Sequence, residues 1–399
     1  MPRETSPFSN AAHILIMIIT FVCDVLGEEN NGTTIATMNV AREMAKKGHE
    51  VRIVCPDAER KGQTGFYVVP RIHFGPFDGY VANNGVVLSS THDMKTVEDA
   101  IKDADVVHFN FCGALSSKTI KLCKKLGIPT TASLHTQAEN FTNQVFLQNA
   151  PWANHAMYHW LYKHLFRYVD AIHYPSEFIK DIFEKENKFH SNAYVISNGV
   201  KHAFHKAEVT RPEEYKGKFL ILFTARYSKE KNHKVILKSM KYSKHADEIQ
   251  WIFAGAGPLE KKFRRATKNW KNKPVLGFHP QEEMNSLVNM VDLYCHASTI
   301  DLEAISCLEA LSVGICPLLS DSPRAAVRSY ALSEHNLFNY RSPKSLAAGI
   351  DYWIEHPKER IEMGNKYLGY ANRFNFESAM DKMEQMFKDV AAKKDKKNQ

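Results

Sequence analysis

Short apolar runs alternate with amphipathic segments along most of this chain. In the second half, LILF from Leu220, WIF from Trp251 and VDLYCHAS from Val291 each lead into polar or glycine-containing turns. Apolar runs of this kind are typical of buried strands, and helical patterns between them indicate a parallel sheet covered by helices. The first half begins in the same way, with HILIMIITFV (His13 to Val22), a polar loop, the helical pattern IATMNVAREMAKKGHE and the strand VRIVCP.

Later segments complete two α/β domains. DVVHFN, PTTASLHTQ and AIHY read as further strands of the first domain, and Ser176 is predicted to cap the helix that follows AIHY. The charged stretch HKAEVTRPEEYKGK reads as a linker, and the segment from about Ser345 to Lys393 as helical. We therefore predict a first domain over residues 1–204, a second over 205–375, and a C-terminal helix with a basic tail over 376–399.

Composition excludes several classes of protein. The chain has 399 residues, 44% of them hydrophobic, which suffices for two folded domains. Its seven cysteines are scattered without a C-x-x-C pair, which argues against structural zinc and favours reduced cytosolic thiols. The run His13 to Val22 is about half the roughly 20 residues that a membrane span needs, and it lacks the features of a signal peptide. These features predict a cytoplasmic protein.

The net charge is +8, from 52 basic and 44 acidic residues. No recognised nucleic-acid motif accompanies this charge, so nucleic-acid binding is not predicted. Attraction to anionic lipid or to the phosphates of a small substrate accounts for it better.

The stretch STIDLEAISCLEALSVG from Ser298 carries the candidate chemistry. Asp301 and Glu309 lie eight positions apart, after a predicted buried strand. If Glu309 lies near the start of a helix, both acids can face one pocket, where free backbone N–H groups suit phosphate and carboxylates accept hydrogen bonds from sugar hydroxyls. This combination indicates a nucleotide-sugar, although the same spacing also fits a solvated helix face. Glu303 competes with Asp301 as the first acid, and the spacing favours Asp301.

Four motifs in order resemble those of family 4 retaining glycosyltransferases of the GT-B fold. They are A-R-Y-S-K-E-K with Arg226 and Lys231, G-A-G-P from Gly255, H-A-S ending at Ser298, and the pair Asp301 and Glu309. The resemblance covers nearly the whole chain and implies two Rossmann-like domains facing each other across a cleft, with the C-terminal helix crossing back to the first. Two positions depart from the family pattern, since Asp301 replaces the usual Glu and Ala225 the usual Gly.

The resemblance also implies roles for individual residues. Arg226 and Lys231 would neutralise the donor diphosphate, Asp301 and His135 would contact the donor sugar, and Glu309 would hold the ribose hydroxyls. The implied catalytic residues are Asp301, His135, Arg226 and Lys231; the implied donor-binding residues are Gly32, Arg226, Lys231, Gly257, Ile305, Ser306 and Glu309. Gly32 is included because a residue without Cβ lets a phosphate reach backbone N–H groups. No cofactor and no metal are expected, because no D-x-D follows a strand and two cations can replace the ion. A UDP-sugar is favoured over a GDP-sugar.

The prediction of the acceptor side depends on fewer residues. HTQAEN, with Glu139 and Asn140, is similar to membrane-associated glycolipid synthases of the family. The segment 151–170 is aromatic and basic, and two interpretations stay open. In one, Met157, Trp160, Leu161, His164, Leu165 and Tyr168 pack a helix onto the sheet. In the other, Trp152, Trp160, Lys163 and Arg167 contact a membrane interface. The loop from Lys61 to Tyr80 forms either an apolar acceptor mouth or an irregular crossover.

These expectations combine into one predicted function. The chain is expected to be a retaining hexosyltransferase that moves glucose from a nucleotide-sugar to a membrane lipid such as diacylglycerol, as a peripheral protein at the cytoplasmic membrane face. The alternatives are a transferase of the same fold acting on a soluble or polyprenyl-linked glycan, a nucleotide-sugar epimerase, and a noncatalytic nucleotide-sugar-binding protein.

Overall fold

The computed structural model describes residues 16–26, 32–73, 75, 88–145 and 147–397. The strands are β1 (Ile18–Val22), β2 (Glu50–Cys55), β3 (Phe66–Val68), β4 (Val106–Phe109), β5 (Thr130–Ser133), β6 (Ala171–Tyr174), β7 (Ala193–Val195), β8 (Phe219–Thr224), β9 (Ile249–Ala254), β10 (Val275–Gly277), β11 (Leu293–His296), β12 (Pro317–Ser320) and β13 (Leu337–Phe338). The α-helices are α1 (Gly32–Lys46), α2 (Met94–Ile101), α3 (Ala114–Leu126), α4 (Ala138–Thr142), α5 (Pro151–His164), α6 (Glu177–Asn187), α7 (His233–Ser239), α8 (Glu260–Ala266), α9 (Gln281–Met290), α10 (Ile305–Ser312), α11 (Pro343–Glu355), α12 (Pro357–Ala371) and α13 (Phe376–Lys397). Strands and helices alternate as the sequence pattern predicts.

The strands of the described residues form two sheets. The first has the order β3-β2-β1-β4-β5-β6-β7 and the second the order β10-β9-β8-β11-β12-β13. The described pairings between named strands are parallel, for example Leu222 with Ile252 across β8 and β9. In both sheets the strand order reverses beside the first strand, at β1/β4 and at β8/β11. Open α/β sheets bind their ligands at such switch points, outside the carboxyl ends of the strands.

The chain divides into two compact units. One contains Met1–Ala132, Tyr168–Asp170 and Phe387–Gln399, and the other contains Ser133–Arg167 and Ala171–Met386. In the first unit, the ring of Phe387 from α13 packs edge-on against Phe21 and His108, at centroid distances of 6.1 and 5.3 Å. The predicted return of the C-terminal helix is therefore confirmed. The predicted domain boundaries at 204/205 and 375/376 stay a prediction.

The core of the second unit surrounds β8. The apolar run of this strand, Leu220 to Phe223, is fully buried, as are Trp251 in β9 and Leu293 in β11. Parallel strands covered on both faces by helices read as continuous apolar runs, which explains why the sequence pattern identified them. From α10, Cys307, Leu308 and Leu311 pack into the same core.

The segment after Ser342 differs from the single helical segment that was predicted from about Ser345 to Lys393. It contains three helices, because Pro357 begins α12 directly after α11 and a 3₁₀ turn at Asn372–Phe374 separates α12 from α13. A proline is favoured at the first position of a helix, where its missing N–H has no partner to lose. Among the described helices, none combines the length and apolarity that crossing a membrane requires.

Two local predictions are also corrected. Ser176 occupies the N-cap position of α6, but its hydroxyl makes no cap and instead donates to the carbonyl of Leu302 at 2.6 Å. Helix α5 packs through Ala153, Tyr158 and Leu161. Trp160 does not belong to that packed face, since it is 39% exposed.

Candidate active site

The predicted catalytic residues of the second half follow two adjacent strands. Strand β11 pairs with β8, with Leu293 opposite Ile221. Arg226 and Lys231 follow the end of β8, and Asp301 follows the end of β11. Because parallel strands end at the same sheet edge, the topology brings these loops together at the switch point.

Backbone contacts with the G-A-G-P turn hold Arg226 in place. The N–H of Ala225 donates to Ala254 at 3.0 Å, and the N–H of Tyr227 donates to Ala256 at 2.9 Å. A Cβ at Gly255 would lie 2.1 Å from the carbonyl oxygen of Ala225, so only glycine permits this approach. The Arg226 side chain is exposed and forms no ion pair with the described residues.

Replacing Gly255 with alanine is expected to destabilise the protein and displace Arg226. The added methyl would overlap the Ala225 carbonyl, so the backbone must shift, at a cost of about 1–3 kcal/mol or more. Gly277→Ala is the matched control, because a Cβ there meets nothing within 4 Å. Denaturant unfolding should separate the two variants, and equal stabilities would contradict the close approach.

Lys231 and Asp301 form an ion pair. The Lys231 Nζ lies 2.9 Å from the Asp301 Oδ2. Two further contacts fix this geometry: the N–H of Thr299 donates to the Glu230 carbonyl at 2.8 Å, and the N–H of Ala326 donates to the Asp301 carbonyl at 2.9 Å. The short turn containing Lys231 and the loop containing Asp301 are thus tied together by backbone as well as by charge.

Both partners of this pair are charged at neutral pH. Burial by itself raises the pKa of Asp301, but the Lys231 charge and a hydrogen bond from His296 hold that pKa well below its usual range. Burial likewise opposes the charge of Lys231, while Asp301 raises the lysine pKa above its ordinary value. The result is an anion and a cation held side by side at the switch point.

Glu309 lies in the second turn of α10, eight residues after Asp301. The helix begins after Ala304, whose φ of +57° turns the chain sharply. Ile305 and Ser306 form the first turn, where backbone N–H groups have no intrahelical partner.

The protonation of Glu309 predicts a pH-dependent stability. Burial raises the pKa of Glu309 from 4.5 to about 8, against a lowering by Lys201. Because the folded pKa is raised, the folded protein loses stability as pH rises from about 4.5 through 8. Glu309→Gln removes this loss, so it should match the wild type near pH 4 and be more stable near pH 8.5, by about 1–3 kcal/mol.

Chemical denaturation at both pH values measures this difference. Burial also raises the pKa of Glu303, to about 7. Because Glu303 is present in both proteins, its effect on the pH dependence of the unfolding free energy cancels in the comparison. A variant less stable than wild type at pH 8.5 would contradict the burial of Glu309.

The competing acid Glu303 has a different environment. It is 3% exposed, and its carboxylate accepts hydrogen bonds from the Ser197 hydroxyl and from the N–H of Asn198, the latter at 3.0 Å. Its backbone carbonyl accepts the Tyr330 hydroxyl at 2.6 Å. Glu303 therefore ties the loop at Ser197–Asn198 to the loop at Asp301, and its carboxylate already has protein donors.

The predicted catalytic and donor-binding residues of the first half are His135 and Gly32. His135 belongs to the second unit, and its ring packs edge-on against His173 at 5.6 Å. Burial and His173 lower the pKa of His135 to about 3, so its imidazole is neutral at neutral pH. Gly32 begins α1 in the first unit, where a Cβ would meet nothing within 4 Å, so protein packing does not require glycine there. The neighbouring residues 27–31 of the predicted phosphate loop lie outside the described residues.

The second unit contains a polar cavity of about 970 Å³. Glu139 lines this cavity, is largely buried, and accepts the Tyr158 hydroxyl at 2.9 Å. Thr299 and Ile300, immediately before Asp301, line it as well. The charged lining comprises Lys229, Lys234, Lys238, Arg324, Arg341, Glu139, Glu186 and Glu230.

The remaining acceptor-side residues lie near or outside this cavity. Asn140 is half-buried in α4, next to Glu139. Trp152 is 68% exposed on α5, and Lys163 and Arg167 are also exposed. Part of the loop from Lys61 to Tyr80 lies outside the described residues.

Sequence reasoning missed His296, which ends β11 and is 1% exposed. Its Nε2 donates to the Asp301 Oδ2 at 3.0 Å. A signal was present, since a histidine at the end of an otherwise apolar strand needs a partner when buried. Within the described residues, no group of three or more His, Cys, Asp and Glu side chains could hold a metal ion.

Two family models match adjacent parts of the chain. Residues 30–204 match the model described as Glycosyltransferase Family 4, and residues 205–395 match the model described as Glycosyl transferases group 1. Together they cover residues 30–395, which include β2 to β13 but not β1.

Individual relatives were found by sequence and by structure. Alpha-monoglucosyldiacylglycerol synthase of Streptococcus pneumoniae (strain ATCC BAA-255 / R6) is 22% identical over 326 residues, 77% of this chain and 72% of the relative. The synthase of the same name from Acholeplasma laidlawii is 24% identical over 227 residues, 53% of this chain and 57% of the relative. The structure of Anabaena Alr3699/HepE in complex with UDP-glucose superimposes with a TM-score of 0.71 at 14% identity, over 94% of this chain and 100% of that one.

Proposed function

Because this chain belongs to the family 4 glycosyltransferases and has the GT-B fold, we propose that it transfers a hexose, with retention of configuration, from a nucleotide-sugar to a membrane lipid such as diacylglycerol. The observation that carries the proposal is the Lys231–Asp301 pair beside the exposed Arg226, at the strand switch of the second sheet. A cation next to a carboxylate suits a ligand that carries both phosphate and sugar hydroxyls.

Each residue contributes to one part of the reaction. When the bond between the sugar and the diphosphate breaks, negative charge develops on the departing phosphate, and Arg226 and Lys231 stabilise it. Fixed charges aimed at developing charge usually make the largest catalytic contribution. Asp301 accepts hydrogen bonds from the sugar hydroxyls, and the neutral His135 is able to donate one to the same sugar.

The nucleotide half of the donor is assigned to the helix after Asp301. Glu309 would accept the ribose hydroxyls, and the first-turn N–H groups at Ile305 and Ser306 would face the phosphates, as helix N-termini favour anions. Gly257 and Gly32 would allow close approach of the donor. UDP-glucose is the proposed donor, which is supported by the UDP-glucose complex of the structural relative.

A lipid acceptor is supported by the two glucosyldiacylglycerol synthases among the relatives. The polar cavity lined by Glu139 and by Thr299 and Ile300 adjoins the loop of Asp301, and we assign the acceptor headgroup to it, with Asn140 nearby. The exposed side chains Trp152, Trp160, Lys163 and Arg167 would meet the anionic membrane surface, where aromatic and basic groups are favourable.

The first family match ends at residue 204 and the second begins at residue 205, which supports the predicted domain boundary.

A donor panel tests the proposal. Labelled UDP- and GDP-hexoses are offered with vesicles of anionic lipid, with and without diacylglycerol, and the label is followed into the organic phase. We expect incorporation from UDP-glucose into diacylglycerol, with NMR of the product showing the anomeric configuration of the donor. Donor cleavage without a lipid product would move the acceptor to a soluble or polyprenyl-linked glycan. Binding of a donor without turnover would favour a noncatalytic nucleotide-sugar-binding protein.

A further inference from the structure

We propose that His296 is a positioning residue that fixes the Asp301 carboxylate for the donor sugar; this inference rests on the proposed function and adds a residue to its sugar site. His296 does not touch the substrate in this scheme. It acts through Asp301, with which it shares a hydrogen bond of 3.0 Å.

The hydrogen bonds of Asp301 are unevenly distributed. Its Oδ2 accepts from both the Lys231 Nζ, at 2.9 Å, and the His296 Nε2, at 3.0 Å. No described side chain donates to its Oδ1, and the Asp301 side chain is 15% exposed. One carboxylate oxygen is therefore held by the protein, and the other retains its acceptor capacity for a ligand hydroxyl.

The surroundings of His296 determine which ring nitrogen carries the proton. A carboxylate only accepts hydrogen bonds, so the Nε2 must carry the proton that it donates to Asp301. Burial keeps the imidazole neutral by lowering its pKa, which leaves the Nδ1 as an acceptor. The Tyr294 hydroxyl lies 3.3 Å from that Nδ1 and donates its single proton to the Ser306 hydroxyl, at 3.1 Å in the first turn of α10, so Asp301 is the partner that fixes the imidazole by a hydrogen bond.

Rotation of the ring is also restricted. His296 is buried at the end of β11, and Phe223 of the neighbouring β8 packs against it edge-on, at a centroid distance of 5.8 Å. A donor fixed on rigid strands holds its partner more accurately than a donor on a loop. This matters for Asp301, which lies in the loop after β11 and has a shorter side chain than the glutamate usual at this position.

Two substitutions separate positioning from packing. His296→Leu fills a similar volume without a donor, whereas His296→Gln places an amide N–H near the position of the Nε2. His108→Leu is the control, because it removes another buried, hydrogen-bonded imidazole, from the first unit. Affinities for UDP and for UDP-glucose are measured by calorimetry on each folded variant, together with kcat and KM. If the donor panel selects guanosine, GDP and the GDP-sugar replace them.

We expect His296→Leu to bind UDP as the wild type does and UDP-glucose about ten-fold more weakly, with a lower kcat. His296→Gln should recover most of the UDP-glucose affinity, and His108→Leu should change the affinity for neither ligand.

Equal losses of affinity for UDP and UDP-glucose, or no recovery of affinity in His296→Gln, would show that His296 has only a structural role. Unchanged UDP-glucose affinity in His296→Leu would overturn this inference alone. A wild-type protein that binds no nucleotide-sugar would overturn the proposed function as well. If His296→Leu does not fold, the comparison of His296→Gln with the further variant His296→Asn, which lacks reach to Asp301, decides between the outcomes.

Discussion

Replacing Arg226 with alanine is expected to lower kcat/KM by about a hundred- to a thousand-fold while leaving the free energy of unfolding within about 0.5 kcal/mol of wild type. The reason lies in the exposure of this side chain. Arg226 follows β8 at the strand switch, and its guanidinium has no ion-pair partner in the described part of the chain. Its removal takes away a charge that the proposed reaction uses and nothing that the fold uses.

Donor turnover and denaturant unfolding measure these two effects on the same preparations. Arg265→Ala is a suitable control, since Arg265 is an exposed arginine on α8 in the same unit. Near wild-type turnover in Arg226→Ala would exclude this residue from the diphosphate site. A large loss of stability would instead show that Arg226 has a structural partner.

Replacing Lys231 with methionine is expected to abolish turnover and also to destabilise the protein, by about 2–4 kcal/mol. Here the physical situation is the opposite of that at Arg226. Lys231 neutralises a buried carboxylate, with side-chain exposures of 23% for Lys231 and 15% for Asp301. Removing the cation leaves a desolvated anion whose only remaining described side-chain donor is His296.

The double variant Lys231→Met/Asp301→Asn separates the two causes. It leaves no unpaired charge, and an asparagine oxygen can still accept the His296 proton, so more than half of the lost stability should return. Activity should not return, because both charged groups are missing. If the double variant is less stable than the single one by the full cost of Asp301→Asn alone, the ion pair contributes nothing to the free energy of unfolding.

The fold was largely predictable because its strands are short, continuous apolar runs. Leu220 to Phe223, Trp251 and Leu293 are buried, so their pattern reports burial directly. The order of Arg226, Lys231, Asp301 and Glu309 along the chain was likewise sufficient to indicate the family. The helix boundaries after Ser342 were not predicted, although Pro357, which begins α12, is a boundary signal in the sequence.

The candidate site was predictable in its residues and much less in their contacts. The spacing of Asp301 and Glu309 indicated two carboxylates near a helix start, but the same sequence also offered Glu303. Hydrogen bonds from Ser197 and Asn198, more than a hundred residues earlier, determine the environment of Glu303. Helix α5 shows the same limit, because both of its faces carry aromatic residues and only packing decides that Tyr158 is buried while Trp152 is exposed.

The sequence by itself determined two parallel α/β sheets, the family, and which charged residues follow which strands, because these depend on local periodicity and on motif order. The tertiary structure decided that Lys231 is paired with Asp301, that Glu303 is tied to a distant loop and that His296 donates a hydrogen bond to Asp301. These outcomes depend on the strand order β8-β11, which brings two loops about seventy residues apart to one sheet edge. Contacts of that range follow from how the sheet is assembled, and no local pattern in the chain encodes them.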